Sequence, residues 1–215
     1  MRINRRNIVI TYGKIDQYKL NKKLKLLLKL LPIILFIFAI PCAEAQFRET
    51  YYERGYKEIR KGNYNKAVEY FNYSIDDRNY YQAYFFRAYS KFQLGDLIGS
   101  EQDFSSCLAE IPNHRDALHY RAIVRSQLLD IEGSFEDFEN AIKYDSTNAE
   151  IYFNRAIALL TIQNYEAAIK DCNQAIKYDG KNQKAIIIRA VAETELGDYD
   201  KAIDDFNSVL LKNPI

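Results

Sequence analysis

From about residue 48 onward, small, bulky and polar positions recur in the same order, block after block. A small residue stands at Gly55, Ala88, Ala122, Ala156 and Ala190, and a second small column follows at Ala67, Ser100, Ser134, Ala168 and Ala202. A third column reads Phe71, Phe104, Phe138, Cys172 and Phe206, and a fourth Ser74, Cys107, Ala141, Ala175 and Val209. Within a block these positions lie three to four residues apart, as in Ala67, Phe71 and Ser74, which places them on one face of a helix. Strand-like alternation is absent. Between the two small columns stand Gly62-Asn63-Tyr64, Gly95-Asp96-Leu97, Leu129-Asp130-Ile131, Gln163-Asn164-Tyr165 and Gly197-Asp198-Tyr199. These read as tight turns between two helices, with Gly at the left-handed position and Asn or Asp capping the helix that follows.

The period is fixed by arginine. Arg54, Arg87, Arg121, Arg155 and Arg189 are separated by 33, 34, 34 and 34 residues. A single helical hairpin cannot bury its apolar face alone, so a repeat of this kind predicts a stack whose folding unit is the whole array. Small columns let antiparallel helices approach to about 8–10 Å, and the bulky columns fill the space between units.

On these residues the chain resembles the tetratricopeptide repeat (TPR) family, over about residues 48 to 215. Tyr51, Tyr84 and Tyr152 open the first helix as in that family, Leu118 and Ile186 replace the aromatic, and Pro112 and Pro214 end units. Asn79, Ser146 and Gly180 stand where that proline is missing, and Leu129 and Gln163 replace the turn glycine. The resemblance implies an all-α fold: an α-solenoid of five helix-turn-helix repeats, about 48–80, 81–114, 115–148, 149–182 and 183–215, forming a right-handed superhelix. Without their glycine, repeats three and four are expected to be the least sharply turned.

Residues 1–45 have a different character. Nine bases, Arg2, Arg5, Arg6, Lys14, Lys19, Lys22, Lys23, Lys25 and Lys29, precede the apolar run Leu30 to Ile40, and Pro41-Cys42-Ala43-Glu44-Ala45 follows. A basic segment, a short apolar segment and a small-x-small site predict a secretory signal peptide cleaved after Ala45, leaving a TPR domain over 46–215 that is exported to a periplasmic or secreted location. Eleven apolar residues span about 16 Å as a helix, short of the roughly 30 Å hydrocarbon core. Two alternatives stand beside cleavage: an uncleaved membrane anchor over residues 26–40, and lipidation at Cys42, against which Pro41 argues.

Charge and composition then narrow the function. The chain's net charge of +1 divides into a basic leader, with nine bases and two acids, and a remainder of 21 bases against 27 acids. A body near −6 disfavours nucleic acid as a partner, because phosphate binding draws on clustered Lys and Arg. Three cysteines, two histidines and no tryptophan leave little for a disulfide framework, a zinc site or a histidine-based catalytic centre. His114 and His119 are five apart, off the spacing that puts two ligands on one helix face. Cys107 and Cys172 read as buried thiols two units apart. Asn72-Tyr73-Ser74 matches a glycosylation sequon, with Ser74 in a packing column. No phosphate loop, nucleophile elbow or paired catalytic carboxylate stands out. The expectation is a chain that is not an enzyme and holds no cofactor or metal.

Two sets of residues carry the remaining expectations. Asp103, Asp137, Asp171 and Asp205 follow Arg87, Arg121, Arg155 and Arg189 by 16 residues each, which predicts an arginine–aspartate ladder between paired helices. Tyr70 takes the acid's place after Arg54. The alternative is arginines that face a groove and bind a partner's carboxylates, with Arg54 the best placed. In stacked hairpins of this family the first helix of each unit lines an inner groove, and the residues assigned there are Tyr52, Tyr56, Phe85, Phe86, Tyr89, Phe92, His119, Tyr120, Phe153 and Asn154. Rings give large contact area with few rotors, so the leading expectation is a scaffold or adaptor that binds a peptide or protein partner there. The competing reading makes half of these rings core. Some members of the family hold acidic C-terminal peptides with a Lys and Asn clamp, but Tyr52, Tyr56 and Phe86 stand at the matching places here. An alternative function is a structural subunit of an envelope assembly, a homo-oligomer joined through Val209, Leu210, Leu211 and Ile215 at the end of the stack. Contact with membrane is expected only through the N-terminal segment, if uncleaved.

Overall fold

A computed structural model describes residue 30 and residues 51–75 and 81–211. The predicted leader apart from Leu30, and Asn79, Pro214 and Ile215, lie outside the described residues. The described residues from 51 onward fall in one compact unit. No helix among the described residues is long and apolar enough to cross a membrane.

The fold is an all-α solenoid built of helix pairs. Helix α1 covers residues 51–60 and pairs with α2 (Tyr64–Ser74). The next pairs are α3 (Tyr81–Gln93) with α4 (Leu97–Glu110), and α5 (Arg115–Gln127) with α6 (Ile131–Tyr144). They are followed by α7 (Ala149–Thr161) with α8 (Tyr165–Tyr178), and α9 (Gln183–Glu195) with α10 (Tyr199–Leu210). From α4 to α10 each second helix packs on its own first helix and, from α2 to α8, on the first helix of the next pair. First helices also touch along the stack, α3 to α5, α5 to α7 and α7 to α9, whereas among the described residues no second helix touches another. The first-helix side is therefore the tighter, inner side of the stack.

The small columns sit where helices cross. Gly55, Ala88, Ala122, Ala156 and Ala190 are buried against Ala67, Ser100, Ser134, Ala168 and Ala202. In the second and third pairs the crossing is also a hydrogen bond: Ser100 Oγ donates to the Ala88 carbonyl at 2.9 Å, and Ser134 Oγ to that of Ala122 at 2.8 Å. At Gly55 a Cβ would come within 2.8 Å of the Phe71 ring, so the first pair needs glycine to keep Phe71 where it is.

All the turns are alike, including those without glycine. Gly62, Gly95 and Gly197 have φ of 76°, 80° and 83°, and Leu129 and Gln163 adopt the same left-handed conformation at 64° and 60°. The closing hydrogen bonds match too, Asp96 N to Lys91 O, Asp130 N to Arg125 O and Asn164 N to Leu159 O, each 2.9 Å. The expected loosening of repeats three and four is thus not found. Packing on both sides of the turn holds the backbone in place, and Leu129 and Gln163 carry the steric cost of a side chain there. Asp96, Asp130 and Asn164 cap the following helix, accepting from Gly99, Gly133 and Ala167 N–H, while Asn63 and Asp198 make no such bond.

Arginine joins both helices of a pair and the pair before it. Arg87 donates through Nε and Nη2 to the two carboxylate oxygens of Asp103, at 2.7 and 2.6 Å. Arg121 grips Asp137 in the same way at 2.8 and 2.7 Å, Arg155 grips Asp171 at 2.7 and 2.8 Å, and Arg189 grips Asp205 at 2.7 Å twice. The remaining guanidinium nitrogen reaches back one unit: Arg87 Nη1 to Asn72 Oδ1 at 2.8 Å, Arg121 Nη1 to Ser105 Oγ at 2.9 Å, and Arg189 Nη1 to Asn173 Oδ1 at 2.6 Å. Lys91 and Arg125 add second cations to Asp103 and Asp137, at 2.8 and 3.0 Å. Arg54, with Tyr70 in the acid's place, is exposed and lies over the Tyr51 ring at 5.8 Å.

His119 is a core residue of α5. It is buried, and Asn154 of α7 lies 3.0 Å from its Nε2. Burial lowers its pKa to about 4. The thiols of Cys107 and Cys172 are likewise buried and pushed up to about 11 and about 12 by burial.

Three outcomes follow for stability, each read by urea unfolding. Arg155→Met strands the buried Asp171 carboxylate and lowers stability by about 3 kcal/mol, Arg155→Met/Asp171→Leu recovers most of that loss, and Arg54→Met changes stability by less than about 0.5 kcal/mol. Leu129→Gly and Gln163→Gly each raise stability by roughly 0.5–1 kcal/mol, the left-handed strain relieved minus the chain entropy that glycine adds. His119 is held neutral, so its protonation favours the unfolded chain: its contribution is fully present above pH 6.5 and is lost as pH falls toward 4. His119→Gln should remove that part of the pH slope, up to roughly 3 kcal/mol between pH 7 and pH 4.

Candidate functional site

The residues assigned to the inner face from sequence divide by what they touch. Phe86 stacks on Phe71 with centroids 6.0 Å apart and receives the edges of Tyr52 and Tyr56 at 5.8 and 5.2 Å. Phe85 stacks on His114 at 4.9 Å and meets Phe104 at 5.7 Å. Tyr120 lies parallel to Phe104 at 6.0 Å and takes the edge of Tyr89 at 5.3 Å, with Phe92 6.3 Å away. These rings form one continuous layer joining α1, α3 and α5 and floored by Phe71 and Phe104. They are half-buried, and the layer serves packing as much as it offers a surface.

Burial also sets their chemistry. The Tyr120 hydroxyl is pushed up to about 12, first by burial and then by the nearby Glu150, Tyr89 and Asp116. Tyr89 is raised by burial, then by Tyr64, with Glu150 contributing last. Both hydroxyls therefore remain neutral hydrogen-bonding groups across the physiological range. Of the other assigned residues, His119 is buried and Asn154 is turned to it. Phe153 packs with Tyr152, Ala175 and Ala185.

Tyr56, at 44% exposed, is the most open ring of this layer, and exposed apolar residues continue along the later first helices: Ile157, Ile187 and Val191 are 39, 38 and 37% exposed. The residue that follows each buried small residue forms a column of its own, Tyr56, Tyr89, Ile123, Ile157 and Val191, apolar in every unit. Sequence reasoning that sought rings found the first two and passed over the aliphatic members. The signal was present, since each lies one position beyond a packing column.

Little else among the described residues has the makings of a chemical centre. No group of three His, Cys, Asp or Glu side chains among them is placed to hold a metal ion. A pocket of about 280 Å³ beside the first turn is lined by Gly62, Asn63, Tyr64, Asn65, Lys66 and Leu94. The ladder arginines other than Arg54 spend their donors on Asp, Asn and Ser within the stack, and His114 caps α5 by accepting from Ala117 N–H at 3.2 Å. In the sequon, the Asn72 side chain accepts from Arg87, and Ser74 is buried.

Comparison with known proteins agrees with this architecture. Residues 138–170, from α6 through α7 into α8, match the family profile described as tetratricopeptide repeat. No curated protein matches the chain. Among solved structures, MamA 41-end from Desulfovibrio magneticus RS-1 superposes with a TM-score of 0.70 at 18% identity, over 76% of this chain and 93% of that one. A tetratricopeptide repeat protein from Parabacteroides merdae ATCC 43184 gives 0.68 at 21% identity, over 79% of this chain and 68% of that one. Identities this low speak to fold, and the fold shared is the all-α solenoid of tetratricopeptide repeats.

Proposed function

We propose that the chain is an exported, non-catalytic scaffold that holds an extended protein segment against the inner face of its stack. The observation that carries this reading is the apolar column Tyr56, Tyr89, Ile123, Ile157 and Val191, with its exposed members on α1, α7 and α9. Exposed apolar side chains recurring at one position of a rigid repeat give an extended ligand regularly spaced contacts, each worth about 1 kcal/mol or more where it is well covered. The ring layer between α1 and α5 stiffens that surface, and the neutral Tyr89 and Tyr120 hydroxyls supply hydrogen bonds to a peptide backbone. Export rests on the basic-then-apolar segment ahead of Ala45.

The column, and not the whole ring layer, is the part to test, because removing Phe85 or Phe86 would open the core. Peptides selected from a random 12-residue library on the wild-type protein should bind at least thirtyfold more weakly, by fluorescence polarisation, to Tyr56→Ala/Ile157→Ser/Val191→Ser, with its helical dichroism unchanged. Ile98→Ser, an exposed change on the outer helix α4, should leave binding as it was. Equal binding to the wild type and the triple variant would remove the inner face from the proposal.

A further inference from the structure

Helix α10 presents a face that its counterparts keep covered. Tyr199, Ile203, Phe206 and Leu210 are 62, 55, 37 and 57% exposed. At the place of Phe206 the earlier pairs have Phe71, Phe104, Phe138 and Cys172, all fully buried. The four exposed residues are spaced four, three and four apart, the seam of a helix made to pair with another helix.

We propose that this face docks the same face of a second copy, as an antiparallel helix pair about a two-fold axis. The competing occupant within a second copy is the opposite end of the stack, which would continue the repeat head to tail. Its outward face carries exposed Arg54 and, at the position where later first helices place the buried Ser90, Val124, Ala158 and Ala192, the exposed Lys57. Continuing the repeat would press the Lys57 ammonium toward Ile203 and Phe206, and an unpaired charge there is strongly unfavourable. The α10 face is instead complementary to itself. Antiparallel pairing about its midpoint sets Tyr199 against the partner's Leu210 and Ile203 against the partner's Phe206. It also brings the exposed Asp200 beside the partner's Asn207, an amide donor for a carboxylate, and symmetry makes that contact twice.

The surface is small. A 12-residue helix is about 18 Å long, and the exposed parts of these side chains amount to roughly 400 Å² per copy, at the low end for a specific interface. The expected dimer is concentration-dependent, with a Kd on the order of 10 μM.

Light scattering of the full chain between about 1 and 200 μM tests this, since the mass should rise toward twice the monomer's and stop there. Ile203→Lys and Phe206→Glu, both at exposed positions, should each raise the Kd at least tenfold. An equimolar mixture of the two should recover a heterodimer, because position 203 of one copy faces position 206 of the other. A wild-type chain that stays monomeric, a mass that climbs past the dimer, or a mixture no tighter than its components would each overturn the proposal.

Discussion

The structure depends on one side-chain interaction repeated through four units: a guanidinium that grips both oxygens of an aspartate on its partner helix and, in three of the units, reaches back to a polar side chain of the unit before it. The first two bonds fix how far a hairpin's helices slide past each other. The third sets the register between hairpins. A planar fork has little freedom in how it meets a carboxylate, so the geometry is specified even where desolvation leaves little net gain. The small columns are its counterpart, since only Gly, Ala or Ser allows the close crossing that puts arginine and aspartate within reach.

The solenoid was legible because its causes are local and periodic. The columns of small residues, the 34-residue step and the 16-residue interval from arginine to aspartate are each visible in one chain, and each corresponds to a contact between neighbouring helices. The turns at Leu129 and Gln163 were not legible in the same way. Their residues argue against a left-handed backbone, and the stack imposes it anyway, so the local preference yields to packing on either side.

The inner face was read only in part. Aromatic residues drew attention because rings bind well, yet rings also pack well, and in the first three units Phe85, Phe86 and Tyr120 do so against Phe71 and Phe104. His119 was assigned to the same surface, whereas burial holds it neutral in the core, beside Asn154. Side-chain size decides these cases, and a sequence does not show which way a large ring turns. Ile157, Ile187 and Val191 stay exposed, whereas Ile123, at the same repeat position as Ile157, packs against the core. The result is a rigid surface whose aromatic half is largely committed to packing and whose aliphatic half is open.

The most direct measurement is on the isoleucine methyl groups, labelled with carbon-13 in the intact chain and observed by NMR as a selected peptide is added. Binding along the inner face shifts Ile157 and Ile187 strongly and leaves Ile98, on the outer helix α4, where it was. Shifts confined to Ile98, or no shift at Ile157 and Ile187 at saturation, would contradict a scaffold that works through its inner face.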